Sequence, residues 1–379
     1  MELLFCEVLL LYVKNLRLIN FRNYGSLNIQ LNKGVNLFIG KNAQGKTNLL
    51  ESIYFCSTGK SFKTNSDKDI INFNKNVSYI GALLKSQNKE KLIEIKLDRN
   101  KTKIIRINKV ELEKHKRLHS GLNVVIFSPE DLRLIKDGPF VRRNFLDMEI
   151  IQIKPLYEYN ISRYNKILFQ RNNLLKSKKN NGQLLDIFDF QLANIGTEII
   201  IERNKFINDL SYVSNLVHKK LTNNMEDLTL NYITNVTETK NVKDIIEKDF
   251  LYRLKQNRKR DLFKGTTGIG PHRDDIKILI NDLDTRSFAS QGQQRTAVLS
   301  IKLAEVELIK KEKGEYPILL LDDVLSELDE DRRKYLINNF SNLQTIVTST
   351  DVIEIEEMED IKKKIFYINN GDVYEKGDI

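Results

Sequence analysis

Two cysteines, five prolines and seventeen glycines are spread through 379 residues, and no run of about 18 apolar residues occurs anywhere. Each scarcity removes a class. Cys6 and Cys56 cannot build a disulfide framework and lack metal-ligand spacing, so a reducing cytoplasm is the expected home. Without a long apolar run, nothing is expected to span a membrane. The glycine and proline content is too low for a collagen-like chain, and 41% hydrophobic content is too high for a disordered one. The opening eleven residues are apolar but carry Glu2 and Glu7, with no basic n-region and no small-residue cleavage site. They read as a packed or frayed extension, or an early start, rather than a signal peptide.

The charge present is uneven. Net charge is +10, divided as +11 for residues 1–140, +7 for 141–260 and −8 for 261–379. Two thirds of the chain would attract a polyanion and the last third would not.

The length suits roughly two to three domains at ~150 residues each. Residues 12–140 read as strand-rich. Val35-Asn36-Leu37-Phe38-Ile39 is an apolar run stopped by Gly40. Leu92–Leu97 alternates, turns at Arg99-Asn100-Lys101 and is answered by Lys103–Ile107, a hairpin whose outward positions are expected to include Lys96, Lys103 and Arg106. Residues 141–260 carry helical stripes, Ile161, Tyr164, Ile167 and Leu168, then Phe188, Leu192, Ile195 and Ile199, punctuated by basic clusters. They read as a helical insertion, too irregular for a long coiled coil. In residues 261–379 buried-strand runs return at Ile318–Leu321 and Thr345–Val347. The fold class is therefore α/β.

Three constellations carry chemistry. Gly40-Lys41-Asn42-Ala43-Gln44-Gly45-Lys46-Thr47 fits G-x-x-x-x-G-K-[ST]. The glycines let backbone N–H groups curl around phosphate oxygens, and the helix expected from Lys46 adds its positive end. Lys46 can reach the β and γ phosphates, and the Thr47 hydroxyl can ligate Mg²⁺. Second, Ile318–Leu321 ends in Asp322 and Asp323, a costly place for two carboxylates unless a cation compensates them. Asp322 suits magnesium, and Asp323 suits polarising a water. Third, Ser290-Gln291-Gly292-Gln293 opens a helix, with Ser290 as N-cap, and makes a second anion-ready helix N-terminus. One nucleotide cannot easily use two such ends of one head, whereas a second subunit could bring this one to the γ phosphate.

Together with Leu325-Ser326-Glu327-Leu328-Asp329, these motifs resemble the ABC-type ATPase heads, and among them the RecF family. Further stretches share that resemblance: Leu16–Tyr24, Gly59–Thr64, Phe127–Leu132, Arg142–Asp147 and Gly270–Asp275. The resemblance covers about residues 12–370. It implies an ABC-type head with an antiparallel β lobe and an inserted helical domain. ATP is implied on Gly40–Thr47, Mg²⁺ at Thr47 and Asp322, and slow hydrolysis aided by Asp323, since many such heads carry Glu there. It further implies that Ser290, Gly292 and Gln293 contact a partner subunit's ATP, with Asp329 at the dimer seam. The ATP-joined homodimer is then expected to hold duplex or gapped DNA in replication and recombinational repair, alongside RecR and RecO. Thr348-Ser349-Thr350 stands where transporters often have His.

Competing readings are a transporter ATPase subunit, which the basic insertion and the weak transporter-type signature oppose, and a GTP switch, whose base-reading motif fails at Glu111 of Asn108-Lys109-Val110-Glu111. The spacing from Thr47 to Ser290 leaves no room for the long coiled-coil arm of an SMC protein. His115 and His119 read as part of a solvated basic segment, Cys56 as a packed small hydrophobe, and His272 as structural or as a sensor of DNA or nucleotide.

Overall fold

The computed structural model describes residues 11–86, 89–112, 118, 121–177, 182–236, 242–338, 343–350 and 363–376. His115 and His119 lie outside them. In chain order, β1 (Leu11–Phe21) and β2 (Tyr24–Gln30) form a hairpin, and β3 (Val35–Ile39) leads into α1 (Lys46–Thr58). A meander follows, β4 (Val77–Ser86), β5 (Lys89–Asp98), β6 (Ile104–Ile107) and β7 (Val110–Glu111), then β8 (Val124–Phe127). Next come α2 (Arg133–Lys136), α3 (Pro139–Ile153), α4 (Pro155–Lys176), α5 (Gly182–Leu221), β9 (Leu228–Ile233) and α6 (Lys243–Lys264). After β10 (Asp275–Ile280), β11 (Leu283–Asp284) and α7 (Thr285–Phe288), α8 runs from Gln291 to Lys313. The chain closes with β12 (Ile318–Asp322), α9 (Glu330–Asn338), β13 (Thr345–Ser349), β14 (Lys363–Asn369) and β15 (Asp372–Glu375).

Two compact units emerge. One takes the described residues up to Asp131 and those from Glu305; the other is Leu132–Ala304. The boundaries thus lie near 131 and 304, where the sequence suggested 140 and 260. Strand pairing is the reason: β10 runs antiparallel to β9, from Asp275↔Ile233 to Ile280↔Leu228, so residues past 271 join the inserted unit. Arg142 on α3 reinforces this with a two-pronged bond to Asp275, at 2.6 and 2.9 Å.

Among the described residues, the first unit contains two six-stranded sheets. One is antiparallel, in the order β2-β1-β4-β5-β6-β7. The other is ordered β15-β14-β3-β13-β12-β8, and its five strands from β14 to β8 run parallel. Strands β3, β12 and β13 are buried along their whole length, which is why their apolar residues do not alternate with exposed ones. Gln344, itself buried, stitches the sheets: its amide donates to Val13 O and Asn32 O and accepts from Val13 N.

One expectation for the β5–β6 hairpin fails. Lys103 turns inward, donating to Gly59 O at 2.7 Å and pairing with Asp67 at 3.0 Å, over the Phe55 ring. Strand side chains alternate, so Lys103 and Arg106 cannot share a face; Lys96 and Arg106 remain outside. Asn108 and Lys109, both at positive φ, form the tight turn joining β6 to β7.

The second unit packs α4 and α6 against α5, a 40-residue helix, with the β11-β10-β9 sheet beside it. Leu192, Ile195 and Ile199, as well as Tyr164 and Ile167, are buried, as their spacing requires. Buried Arg171 on α4 ties Asp189 of α5 to Asp261 of α6. His272 donates from Nε2 to Thr267 O at 3.0 Å, and its Nδ1 meets the Tyr164 hydroxyl at 2.8 Å. Burial holds its pKa down at about 4, so it stands as a neutral clamp. Among the described residues, no helix is long and apolar enough to cross a membrane.

Candidate nucleotide-binding site

The site is built at the carboxyl ends of three adjacent parallel strands. β13 lies between β3 and β12, so the loop after β3, the carboxylates after β12 and Thr348 near the end of β13 come together. Ligand sites in open α/β sheets form at such strand ends.

The loop Gly40–Thr47 wraps into α1 with Ala43 and Gly45 at positive φ, 65° and 117°. A Cβ on Gly40 would sit 2.6 Å from Ile368 O, and one on Gly45 would sit 2.6 Å from Asn23 Nδ2. Both positions therefore require glycine, and the curled backbone they allow suits an anion. Lys41, Asn42 and Ala43 are exposed at the mouth, whereas Gly45 and Lys46 are buried. Lys46 Nζ donates to Gly40 O at 2.8 Å and stands 3.2 Å from Asp323 Oδ1, an ion-pair distance without hydrogen-bond geometry.

Asp322 Oδ1 accepts from the Thr47 hydroxyl at 2.9 Å and from the Thr348 hydroxyl at 3.0 Å. Burial raises the Asp322 pKa, and these two hydrogen bonds work against that rise. Thr348 also accepts from Asp323 N at 3.0 Å. Asp323 itself sits at φ 53°, a left-handed conformation that turns its carboxylate toward Lys46. Thr47 and Asp322 offer two hard oxygen donors. Among the described residues there is no cluster of three or more His, Cys, Asp or Glu able to cage a metal. That donor set fits magnesium, which keeps most of its shell for water and phosphate.

Arg22, Asn23 and Tyr24 turn out to support this loop, a role their sequence did not reveal. Asn23 Nδ2 donates to Gln44 O at 2.8 Å and the Tyr24 hydroxyl to Gly45 O at 2.9 Å. Arg22 bonds both oxygens of the fully buried Glu51, at 2.9 and 2.6 Å, and Ser61 also donates to Glu51. The resembling stretches Leu16–Tyr24 and Gly59–Thr64 therefore meet on α1. Only the family resemblance of these stretches marked them in the sequence; no local pattern showed what they touch.

Ser290, Gly292 and Gln293 lie in the other unit, at the start of α8. Ser290 N donates to Gln293 Oε1 at 2.8 Å, and Gln293 N donates to Ser290 Oγ at 3.2 Å, a reciprocal capping box. Ser290, Gln291 and Gly292 are exposed. Asp329 caps α9, accepting from Arg332 N at 3.0 Å. Cys56 is packed inside α1 with its thiol pushed up to about 12 by burial.

A family model described as RecF/RecN/SMC N terminal domain matches residues 12–372. A protein of Clostridium botulinum named DNA replication and repair protein RecF is 48% identical over 365 residues, covering 96% of this chain and 99% of that protein. A solved structure described as the recombination mediator protein RecF with ATP, in the RecFOR pathway, superposes with a TM-score of 0.91 at 36% identity, covering 99% of this chain and 100% of that one. An Smc head domain with an extended coiled coil, from Pyrococcus furiosus, superposes with a TM-score of 0.54 at 16% identity, covering 97% of this chain and 96% of that one, and shares the fold alone.

Proposed function

Since this chain belongs to the RecF family, we propose that it is an ATP-dependent DNA-binding protein of replication and recombinational repair, switched by nucleotide. The observation that carries the reading is the meeting of Thr47, Asp322 and Thr348 hydroxyl and carboxylate groups beside Lys46 in a loop that tolerates no Cβ at Gly40 or Gly45. The transporter alternative has no support, because the relatives are repair proteins matched over nearly their full length.

The backbone of Gly40–Thr47 holds the triphosphate, and Lys46 leaves Gly40 O and Asp323 to meet the β and γ phosphates. Thr47 and Asp322 would hold Mg²⁺, which would supply positive charge to the phosphate oxygens. Asp323 orients and polarises the attacking water, and its short side chain makes turnover slow. Ser290, Gly292 and Gln293 complete the site on a second copy. A Cβ at Gly292 would meet nothing nearer than Ser290 Oγ at 4.0 Å, so packing within the chain does not explain the glycine, and close approach of a second copy would.

ATP thus joins a homodimer that holds duplex or gapped DNA through its phosphates, and hydrolysis releases it. RecR and RecO act with it, in the cytoplasm. Phosphate contacts position without reading sequence. Binding of a labelled duplex with ATP and magnesium tests this: the wild type should bind with affinity falling steeply as salt rises, and Lys46→Met should not respond to ATP. ATP-independent binding, or a flat salt dependence, would contradict it.

A further inference from the structure

The capping box at Ser290–Gln293 does not stand alone. Gln293 Nε2 donates to Glu226 Oε1 at 2.8 Å. The other oxygen of that carboxylate lies 3.1 Å from Nε2 of His218, a side chain with no exposure, three residues before the end of α5. His218 Nδ1 is 3.0 Å from Ser300 Oγ on α8, which also lies 2.7 Å from Thr296 O; with the imidazole proton on Nε2, the single Ser300 hydroxyl proton goes to Nδ1. All these groups belong to the inserted unit, and outside the Ser290–Gln293 segment none of them lies in a motif.

Hydrogen-bond inventory fixes the directions. A carboxylate only accepts, so Gln293 must turn its NH₂ toward Glu226 and its Nε2 neighbour His218 must present a proton. With its nitrogen so committed, the Gln293 carbonyl faces Ser290 N, as found. Ser290 Oγ receives Gln293 N, and its own hydroxyl proton is left to point outward from an exposed residue. Were the Gln293 amide reversed, its NH₂ would face Ser290 N, two donors would oppose each other, and the box would open.

We propose that Glu226, braced by His218, is a positioning residue for the signature segment: it fixes the Gln293 amide so that Ser290 and Gly292 present donors to the triphosphate on a second copy. This rests on the reading of Ser290–Gln293 as the site's second half. Glu226 touches no nucleotide; it acts through Gln293.

Replacement by Gln and by Ala separates positioning from mere packing. In Glu226→Gln, the new amide accepts from Gln293 through its oxygen and donates to His218 Nε2. The imidazole then carries its proton on Nδ1, toward Ser300, which passes its own to Thr296. The box is preserved. In Glu226→Ala nothing holds the Gln293 amide. Sedimentation with ATP and magnesium should show association weakened about tenfold in Glu226→Ala and within about twofold of wild type in Glu226→Gln, the loss expected for a hydrogen bond to a charged group. Nucleotide affinity of the single copy should be unchanged in both. Imidazole ¹⁵N shifts should place a proton on His218 Nε2 in the wild type and remove it in Glu226→Gln. Equal association of Glu226→Ala and wild type overturns the proposal, as does a Glu226→Gln protein as defective as Glu226→Ala. Ser290→Arg serves as the reference. If it too associates normally, the two-copy reading falls; if it alone fails, only the role of Glu226 falls.

Discussion

Asp323 combines a backbone that L-residues avoid with a carboxylate facing a buried lysine, and the two facts have separable consequences. Asn is tolerated in the left-handed region as well as Asp. Asp323→Asn should therefore leave the unfolding midpoint unchanged while removing the group proposed to polarise water. Turnover should drop at least about 100-fold, the usual scale of general-base catalysis, with ATP binding retained. A phosphate-release assay beside a urea titration checks both halves. At this scale the sequence was informative where chemistry and spacing coincide, as at Lys46, Thr47 and Asp322. It was silent at Arg22, Asn23 and Glu226, whose partners lie 29, 21 and 67 positions away, because a long-range hydrogen bond leaves no local pattern.

Helices and strands were legible by periodicity where one face is buried, and β3, β12 and β13 by short apolar clusters without alternation. Lys103 was misassigned for want of strict alternation. The second unit's limits were hidden because β9 finds β10 across more than forty residues, and pairing between distant strands is not written in either one. His272 clamps α4 to the turn before β10, and this makes a pH test possible. Its folded pKa of about 4 lies below the ordinary 6.5. The unfolded chain therefore binds the proton first, so this contribution is complete above pH 6.5 and is lost as pH falls toward 4, about 3 kcal/mol in all. Gln at 272 can keep both hydrogen bonds without titrating. The stability of the wild type relative to His272→Gln should fall by that amount between pH 7 and pH 4, measured by urea unfolding. Asp274, raised to about 6 by burial, acts in the opposite sense, but it is present in both proteins and cancels.

For the whole molecule, the charge asymmetry acquires a rationale: the basic excess lies before residue 261, while the acidic last third supplies Asp322, Asp323 and the α9 cap. The motifs of the reaction are divided between two compact units, Gly40–Thr47 and Asp322 in one, Ser290–Gln293 in the other. Division of this kind would let two copies share two sites, as proposed above. The direct test mixes two dead proteins, Lys46→Met, which has lost its phosphate loop, and Ser290→Arg, which has lost its signature. A mixed dimer holds one site made of two damaged halves and one made of two sound halves. ATP-dependent association and phosphate release should be negligible for each variant alone and should return, to about half the wild-type rate per dimer, on mixing. No recovery on mixing, or full activity of Ser290→Arg by itself, would contradict a reaction centre built from two chains.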